Sequence, residues 1–382
     1  MSPTRPRPWK GPVAWPRHEA LGQRRLQPIG DLALISGETL PAAVLAYETW
    51  GQLNDRADNA ILVEHALTGD SHVCGHAGAG HPTAGWWDDL VGPGKMVDTN
   101  RWFVLCANAI GGCRGSTGPM SAAPDGQPWG SRFPFVTIRD LVAAEERLAR
   151  ELGIPRWAAV IGGSMGGMRA LEWAVSCPER VDLAIIIAST AYATADQIAW
   201  CQPQMLAIRH DPAFHGGDYY LTGRSPEVGL GIARRIAHIT YRSAHELNDR
   251  FGRRAQAGEN PIGHGGRYEV ESYLDYHAQK LIDRFDANSY LVLTEAMNSH
   301  DVGRDRGGVA AALAGVRARL VTVAVDSDRL YPPALSEEIV RHSPLADPLR
   351  LVSSPLGHDG FLSESDELAA MVHSVLDQLP HG

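Results

Sequence analysis

The stretch Trp157-Ala158-Ala159-Val160-Ile161-Gly162-Gly163-Ser164-Met165-Gly166-Gly167-Met168 decides how this chain reads. The apolar run Trp157 to Ile161 suits a strand buried on both faces, and Met168 to Cys177 reads as a helix stopped by Pro178. A serine on so sharp a strand-to-helix turn has its hydroxyl lifted out of the sheet toward a substrate. The backbone there is crowded and strained, so its flanking positions must be nearly free of side chains. Gly162 and Gly166 meet that need, and Gly163 and Gly167 ease it further. In a chain with 40 glycines the bare Gly-x-Ser-x-Gly string carries little weight. The strand before it and the helix after it make it specific.

Working outward, short apolar runs alternate with helical patterns. Strands are predicted at Ala43–Thr49, Ala60–Glu64, Trp102–Asn108, Trp157–Ile161, Leu183–Ala188, Leu320–Val325 and Leu349–Val352. Several are apolar throughout, as in the strands of a mainly parallel sheet covered on both faces. A helix from Thr137 to Leu152, closed by Gly153, leads into the strand before Ser164. This is the alternation of an α/β fold. Residues 192–312 break the rhythm: Ala195–Arg209, Pro226–Phe251, Val270–Phe285 and Ala287–Ser299 all read as helix. A helical block set between two strands of one sheet is expected to be a lid on a core formed by residues 26–191 and 313–382.

Composition bounds the function. With 44 acidic against 35 basic residues, the net charge of −9 lacks the basic footprint of a nucleic-acid binder. No apolar stretch reaches the length of a membrane span. Residues 1–25 carry Arg5, Arg7, Lys10, Arg17, Arg24 and Arg25 against Glu19, without the apolar core of a secretory signal, and are expected to form a flexible tail. Cys74, Cys106, Cys113, Cys177 and Cys201 form no Cys-x-x-Cys pair and suggest reduced thiols in the cytoplasm.

An activated serine needs a base within hydrogen-bond reach and a carboxylate to hold that base. On a sheet of this kind they follow in the order Ser, Asp or Glu, His, each in a loop after a strand. That order is met by Asp326 and Asp328 after Leu320–Val325, and by His358 after Leu349–Val352. Position in a loop does not choose between the two aspartates; the other one would cap a turn.

With these residues in place, the chain resembles the homoserine O-acetyltransferases, acyltransferases of the α/β-hydrolase superfamily. The likeness covers nearly the whole chain from about Leu45, and the tail before about residue 26 has no matching motif. It rests on Leu45–Gly51, His65–His72 (HALTGDSH), Gly111–Pro119 (GGCRGSTGP), Gly162–Met168, Ile239–Ser243 (ITYRS), Ser327–Pro332 (SDRLYP) and Gly357–Leu362 (GHDGFL). In that family the acid precedes an x-Leu-aromatic step, which selects Asp328. The resemblance implies Ser164 as nucleophile, His358 as base, and an oxyanion hole from the N–H groups of Met165 and Leu67. It further implies Arg234 and Asp359 as the groups holding the carboxylate and ammonium of homoserine, a residue pair suited to a zwitterion. Acetyl-CoA is then the co-substrate, with no metal or other cofactor, and the protein a cytoplasmic homodimer of methionine biosynthesis. Read from spacing alone, Arg234 is a helix-face arginine and Asp359 a turn residue.

Other signals are weaker. His72, Cys74, His76 and His81 fit no zinc spacing, and Gly92-Pro93-Gly94-Lys95 has Met96 where a phosphate loop needs Ser or Thr. Gly111–Pro119 reads as loop architecture at the mouth of the site. The rival readings are an esterase on the same triad, a sibling acyltransferase using succinyl-CoA or serine, and a non-enzymatic binding protein. The last would be expected to lack a triad member, and all are present.

Overall fold

In the computed structural model, residues 22–263, 265–363 and 365–380 are described. The chain runs through β1 (Arg25–Ala33), β2 (Thr39–Trp50), β3 (Ala60–Glu64), the short pair β4 (Val91–Gly92) and β5 (Val97–Asp98), and β6 (Phe103–Ala107). Helix α1 (Ile138–Glu151), β7 (Ala159–Gly163), α2 (Met165–Ser176) and β8 (Leu183–Ile187) follow. Next come α3 (Ala195–Arg209), α4 (Glu227–Tyr241), α5 (Ala244–Phe251), α6 (Glu269–Ile282), α7 (Ala287–Asn298) and α8 (Val309–Ala314). The chain closes with β9 (Arg319–Val325), α9 (Pro333–His342), β10 (Arg350–Val352), α10 (Gly360–Ser363) and α11 (Ser365–Leu376).

The sheet has the order β1-β2-β6-β3-β7-β8-β9-β10. It is parallel from β6 to β10, while β1 and β2 join antiparallel at one edge. Along β3 successive residues enter opposite layers: Ala60 and Leu62 pack with α1 and α2, Ile61 and Val63 with α11. A strand covered on both faces has no solvent side, which is why its residues are apolar without alternation.

Three differences from the sequence reading have physical causes. The expected tail lies mostly at 1–21, outside the described residues, but it does not extend to residue 25. Arg24 is buried and donates to Gly80 O (2.8 Å), and Arg25 opens β1. Pro28 and Gly30 hide this strand from a propensity reading; both are tolerated because β1 is an edge with irregular register. The helix expected over 226–251 is two helices. Arg242 is extended, and the Ser243 hydroxyl accepts from Glu246 N–H (3.0 Å) to start α5. Ser243-x-x-Glu246 is itself a helix-start signal that apolar periodicity overruled.

Beneath the serine turn lies a fully buried ionic triad. Arg169 of α2 pairs with Glu64 at the end of β3 (2.5 Å) and with Glu145 of α1, whose other oxygen accepts from Trp173 Nε1 (2.9 Å). Glu145 is thus fully partnered. Burial pushes the Glu64 carboxyl well above its usual range, with Arg169 opposing. Arg169→Met leaves two carboxyl groups without a cation, so a loss of about 3–5 kcal/mol is expected in urea unfolding. A loss under about 1 kcal/mol would mean that water or a shared proton already satisfies them.

Candidate active site

Ser164 stands between β7 and α2 with φ 58° and ψ −122°, a left-handed backbone that costs a non-glycine residue strain. The turn is also tight. A Cβ on Gly162 would lie 2.2 Å from Gly166 O, and one on Gly166 would lie 2.1 Å from Glu64 O. Both glycines are therefore required by close backbone approach, as the sequence implied.

The loop after β9 places Asp328, and the short turn after β10 places His358. His358 Nδ1 donates to Asp328 Oδ2 (2.6 Å), and Ser164 Oγ donates to His358 Nε2 (2.9 Å). Asp328 Oδ1 is held by the N–H groups of Leu330 (2.8 Å) and Tyr331 (2.9 Å), which fixes the carboxylate before it meets the imidazole. Asp326 instead accepts from Ser353 Oγ and Ser354 N–H and secures the neighbouring loop. His358 is buried among rings: Tyr331 stacks on it (centroids 5.0 Å), Phe361 meets it edge-on (5.3 Å) and Tyr241 lies 5.8 Å away.

Leu67 borders the same pocket as Ser164, and Met165 opens α2. The direction of the Leu67 N–H is set from the other end of its own peptide. Ala66 O accepts from Gly69 N–H (2.9 Å) and from His65 Nδ1 (2.8 Å), while His65 Nε2 accepts from Ala109 N–H (3.0 Å). Those bonds require neutral His65 in one tautomer. Burial, with Arg169 nearby, lowers its pKa to about 3. His65 stands inside the HALTGDSH motif, where nothing in its spacing signals this role.

Arg234 and Asp359 flank the triad without touching each other among the contacts formed. The Arg234 guanidinium lies 5.5 Å from the Tyr241 ring, and its Nε is buried without a hydrogen-bond partner among the described residues. Asp359 forms an ion pair with Arg242 (3.2 Å), the residue at which α4 breaks into α5. Burial raises the Asp359 carboxyl pKa, while Arg242, His358 and Arg234 oppose the shift. Arg242 was also missed as a site residue, although it stood in the quoted Ile239–Ser243 motif.

Of the four clustered His and Cys residues, the fold brings His72 and His81 together, with Glu48, and leaves Cys74 and His76 outside the group. Glu48 Oε2 lies 3.0 Å from His72 Nδ1 and 3.6 Å from His81 Nε2. The two rings stack at 3.7 Å, so a cation cannot lie in both ring planes, and His81 Nε2 already accepts from Gln23 N–H. The Arg24 guanidinium, 3.8 Å from Glu48, supplies the positive charge instead. The donors suit an ion-pair network better than a metal. Gly92–Lys95 is a turn between β4 and β5, closed by Lys95 N–H on Gly92 O.

With this geometry in place, comparison with known proteins is decisive. Residues 59–365 match the alpha/beta hydrolase fold family. The homoserine O-acetyltransferase of Thermobifida fusca is 57% identical over 96% of this chain and 97% of its own length. The chain belongs to the homoserine O-acetyltransferase family. Among solved structures, the homoserine O-acetyltransferase of Bacillus anthracis superposes with TM-score 0.85 at 27% identity, covering 94% of this chain and 99% of that one. The esterase E22 superposes almost equally well, with TM-score 0.84 at 26% identity over 92% of this chain and 99% of that one. Homoserine O-acetyltransferases and esterases thus share this scaffold, and the backbone alone does not separate them.

Buried neutral histidines make stability depend on acid. Burial lowers the pKa of His65 to about 3, of His238 to about 2 and of His300 to about 4. Below about pH 6.5 the unfolded chain takes up protons that these side chains refuse in the fold, so stability falls as pH drops. The urea midpoint is expected to decline steadily from pH 7 to pH 5. Imidazole NMR signals of His65, His238 and His300 titrating near pH 6.5 would overturn this, whatever the midpoint does, because the buried acids of raised pKa, Glu64 and Asp286, act on it with the opposite sign.

Proposed function

We propose that this chain moves an acetyl group from acetyl-CoA to the hydroxyl of L-homoserine through an ester on Ser164. The product, O-acetyl-L-homoserine, carries a leaving group that sulfur displaces in methionine biosynthesis. The observation that carries the mechanism is the hydrogen-bonded chain Ser164–His358–Asp328, on a fold whose curated relatives are homoserine O-acetyltransferases.

Ser164 Oγ attacks the thioester carbonyl as its proton passes to His358 Nε2, and Asp328 stabilises the imidazolium. The negative charge that develops on the carbonyl oxygen meets the N–H groups of Leu67 and Met165. The carbon–sulfur bond then breaks, and CoA leaves with the proton from His358. In the second half, the homoserine hydroxyl gives its proton to His358 and attacks the acetyl ester, and Ser164 recovers that proton. Arg234 receives the acceptor carboxylate and Asp359 its ammonium. Arg234, its Nε buried against Tyr241, and Asp359, kept ionic by Arg242, place a cation and an anion beside the triad, the two charges a zwitterion needs.

The donor reading has its own support. The pocket at Ser164 is bordered by Leu67, Met168, Trp200, Cys201, Tyr241 and Met297, with Gln197, Gln204 and Asn298 as polar groups and no cationic side chain. An acetyl group fits such a lining; the distal carboxylate of a succinyl group would compete with the acceptor carboxylate for Arg234, the cation against the Tyr241 ring of this pocket. No further cofactor is needed. The five cysteines are all free thiols, in keeping with a cytoplasmic enzyme. Exposed Ile198, Trp200 and Leu206 on α3 and Val228 and Ile232 on α4 offer an apolar surface for a homodimer, which light scattering on the purified protein tests.

The deciding assay is release of CoA thiol from acetyl-CoA with homoserine, with serine and with no acceptor, repeated with succinyl-CoA. Release should depend on homoserine, and succinyl-CoA should be poorer by roughly 10²-fold or more in kcat/KM. Acceptor-independent release would make the chain a hydrolase like its esterase neighbours. Ser164→Ala should lose roughly 10⁴-fold or more of this activity, and varying both substrates should give the parallel lines of an acyl-enzyme route. Arg234→Ala should impair the acceptor half and spare acylation; equal losses in both halves would assign Arg234 to support of the fold.

A further inference from the structure

We infer that Arg284 is a positioning residue for acyl transfer: carried by the helical insertion, it clamps the turn that presents the Leu67 N–H. The inference rests on the reading of Leu67 as an oxyanion donor.

Arg284 lies between α6 and α7, far in sequence from the loop after β3. Its Nη1 donates to Thr68 O at 2.7 Å. That carbonyl shares a peptide plane with the Gly69 N–H, which closes the turn on Ala66 O (2.9 Å). Ala66 O in turn shares a peptide plane with the Leu67 N–H. The planes are therefore linked in series. Holding Thr68 O holds Gly69 N–H, which holds Ala66 O, which aims the donor at the substrate. His65 secures the same carbonyl from the core side (2.8 Å), and Arg284 secures the turn from the insertion side. A rigid donor is what makes an oxyanion hole effective, because no reorganisation is then needed as charge develops.

Arg284 is itself fixed. The Arg114 guanidinium donates to its carbonyl oxygen, and Arg114 faces Asp70 at the end of the same loop (4.0 Å). The surroundings are otherwise unfavourable to a cation. Burial foremost, with Arg234 adding to it and Asp70 opposing, lowers the Arg284 pKa to about 10. A methionine in its place would spare the desolvation of a charge, yet would leave Thr68 O without this donor. The arrangement makes chemical sense if the carbonyl must be held in one direction, and it makes the oxyanion turn sense the placement of α6 and α7.

The test uses the full-length protein with Arg284→Met and Arg284→Lys, following the acylation half-reaction with p-nitrophenyl acetate and with acetyl-CoA, and the KM for homoserine separately. Arg284→Met should slow acylation about 10- to 100-fold, short of the roughly 10²- to 10³-fold cost of deleting a donor outright. Homoserine KM should stay within about 2-fold. Arg284→Lys should recover most of the rate, because an ammonium on a flexible stem still reaches a single carbonyl. If Arg284→Met does not fold by circular dichroism, Arg284→Lys and Arg114→Met carry the test, each with a loss of a few-fold in acylation. Wild-type acylation in every folded variant would overturn the proposal. So would a raised homoserine KM with unchanged acylation, which would make Arg284 a ligand of the acceptor carboxylate. Ser164→Ala is run in parallel: acylation surviving there would refute the Ser164 reading itself, whatever Arg284 does.

Discussion

The close approach of the serine turn to the end of β3 is the constraint on which the rest of the site depends. Gly166 sits so near Glu64 O that no side chain fits, and this contact sets the distance between the start of α2 and the loop that leaves β3. Ser164 and Met165 belong to the first of these segments, and Leu67 to the second. A strained serine backbone persists only where its surroundings over-determine it. Here the surroundings are the glycine contacts on one side and the buried Glu64–Arg169–Glu145 triad below. Arg169 also reaches His65 O (3.4 Å), so one side chain of α2 touches both ends of the β3–loop junction. Replacing the triad by apolar groups could preserve stability, but it would not preserve a directional hold on His65.

The parts of the fold that could be read from the sequence are those governed by local rules. β3, β8 and β9 are apolar because both faces are covered, and α1 and α3 carry clear start signals, so their positions agree with the structure within a residue or two. β1 escaped because its place at the sheet edge excuses a proline and a glycine that a central strand could not hold. The break between α4 and α5 escaped because apolar spacing continues across it while a serine cap interrupts the backbone. Ser164 and His358 were legible because each follows a strand in the order such a sheet requires, while Asp328 was separated from Asp326 only by the family motif. Arg242, His65 and Arg284 were not, because their partners are a side chain, a backbone N–H and a carbonyl more than 40 residues away. Long-range hydrogen bonds to backbone carbonyls leave no mark on sequence spacing.

Likeness of fold to both an esterase and a homoserine O-acetyltransferase, at nearly the same TM-score, locates the chemical difference away from the triad. Both reactions need the same nucleophile, base and oxyanion donors up to the acyl-enzyme. They diverge in what attacks next. Water is small, abundant and needs no recognition; an amino-acid alcohol must be bound strongly enough to compete. The groups proposed to do this are charged residues on or beside the helical insertion, where Arg234 faces Tyr241 and Asp359 is held by Arg242. Substituting those positions would be expected to turn acyl transfer toward hydrolysis without disturbing the sheet.

The same division explains why the base is wrapped in aromatic rings. In the proposed mechanism His358 gives up a proton to the leaving thiol and then takes one from the acceptor, and a water molecule at Nε2 would short-circuit the second step. Tyr331, Phe361 and Tyr241 cover the imidazole on several sides and leave Nε2 directed at Ser164. Tyr241 also lies under the Arg234 guanidinium. A cation over an aromatic face keeps its charge while shedding part of its hydration, so this one ring both dries the base and seats the cation proposed for the acceptor. Exclusion of water and recognition of a zwitterion are therefore not independent in this fold: both pass through the C-terminal turn of α4, and a change at Tyr241 would have to alter them together.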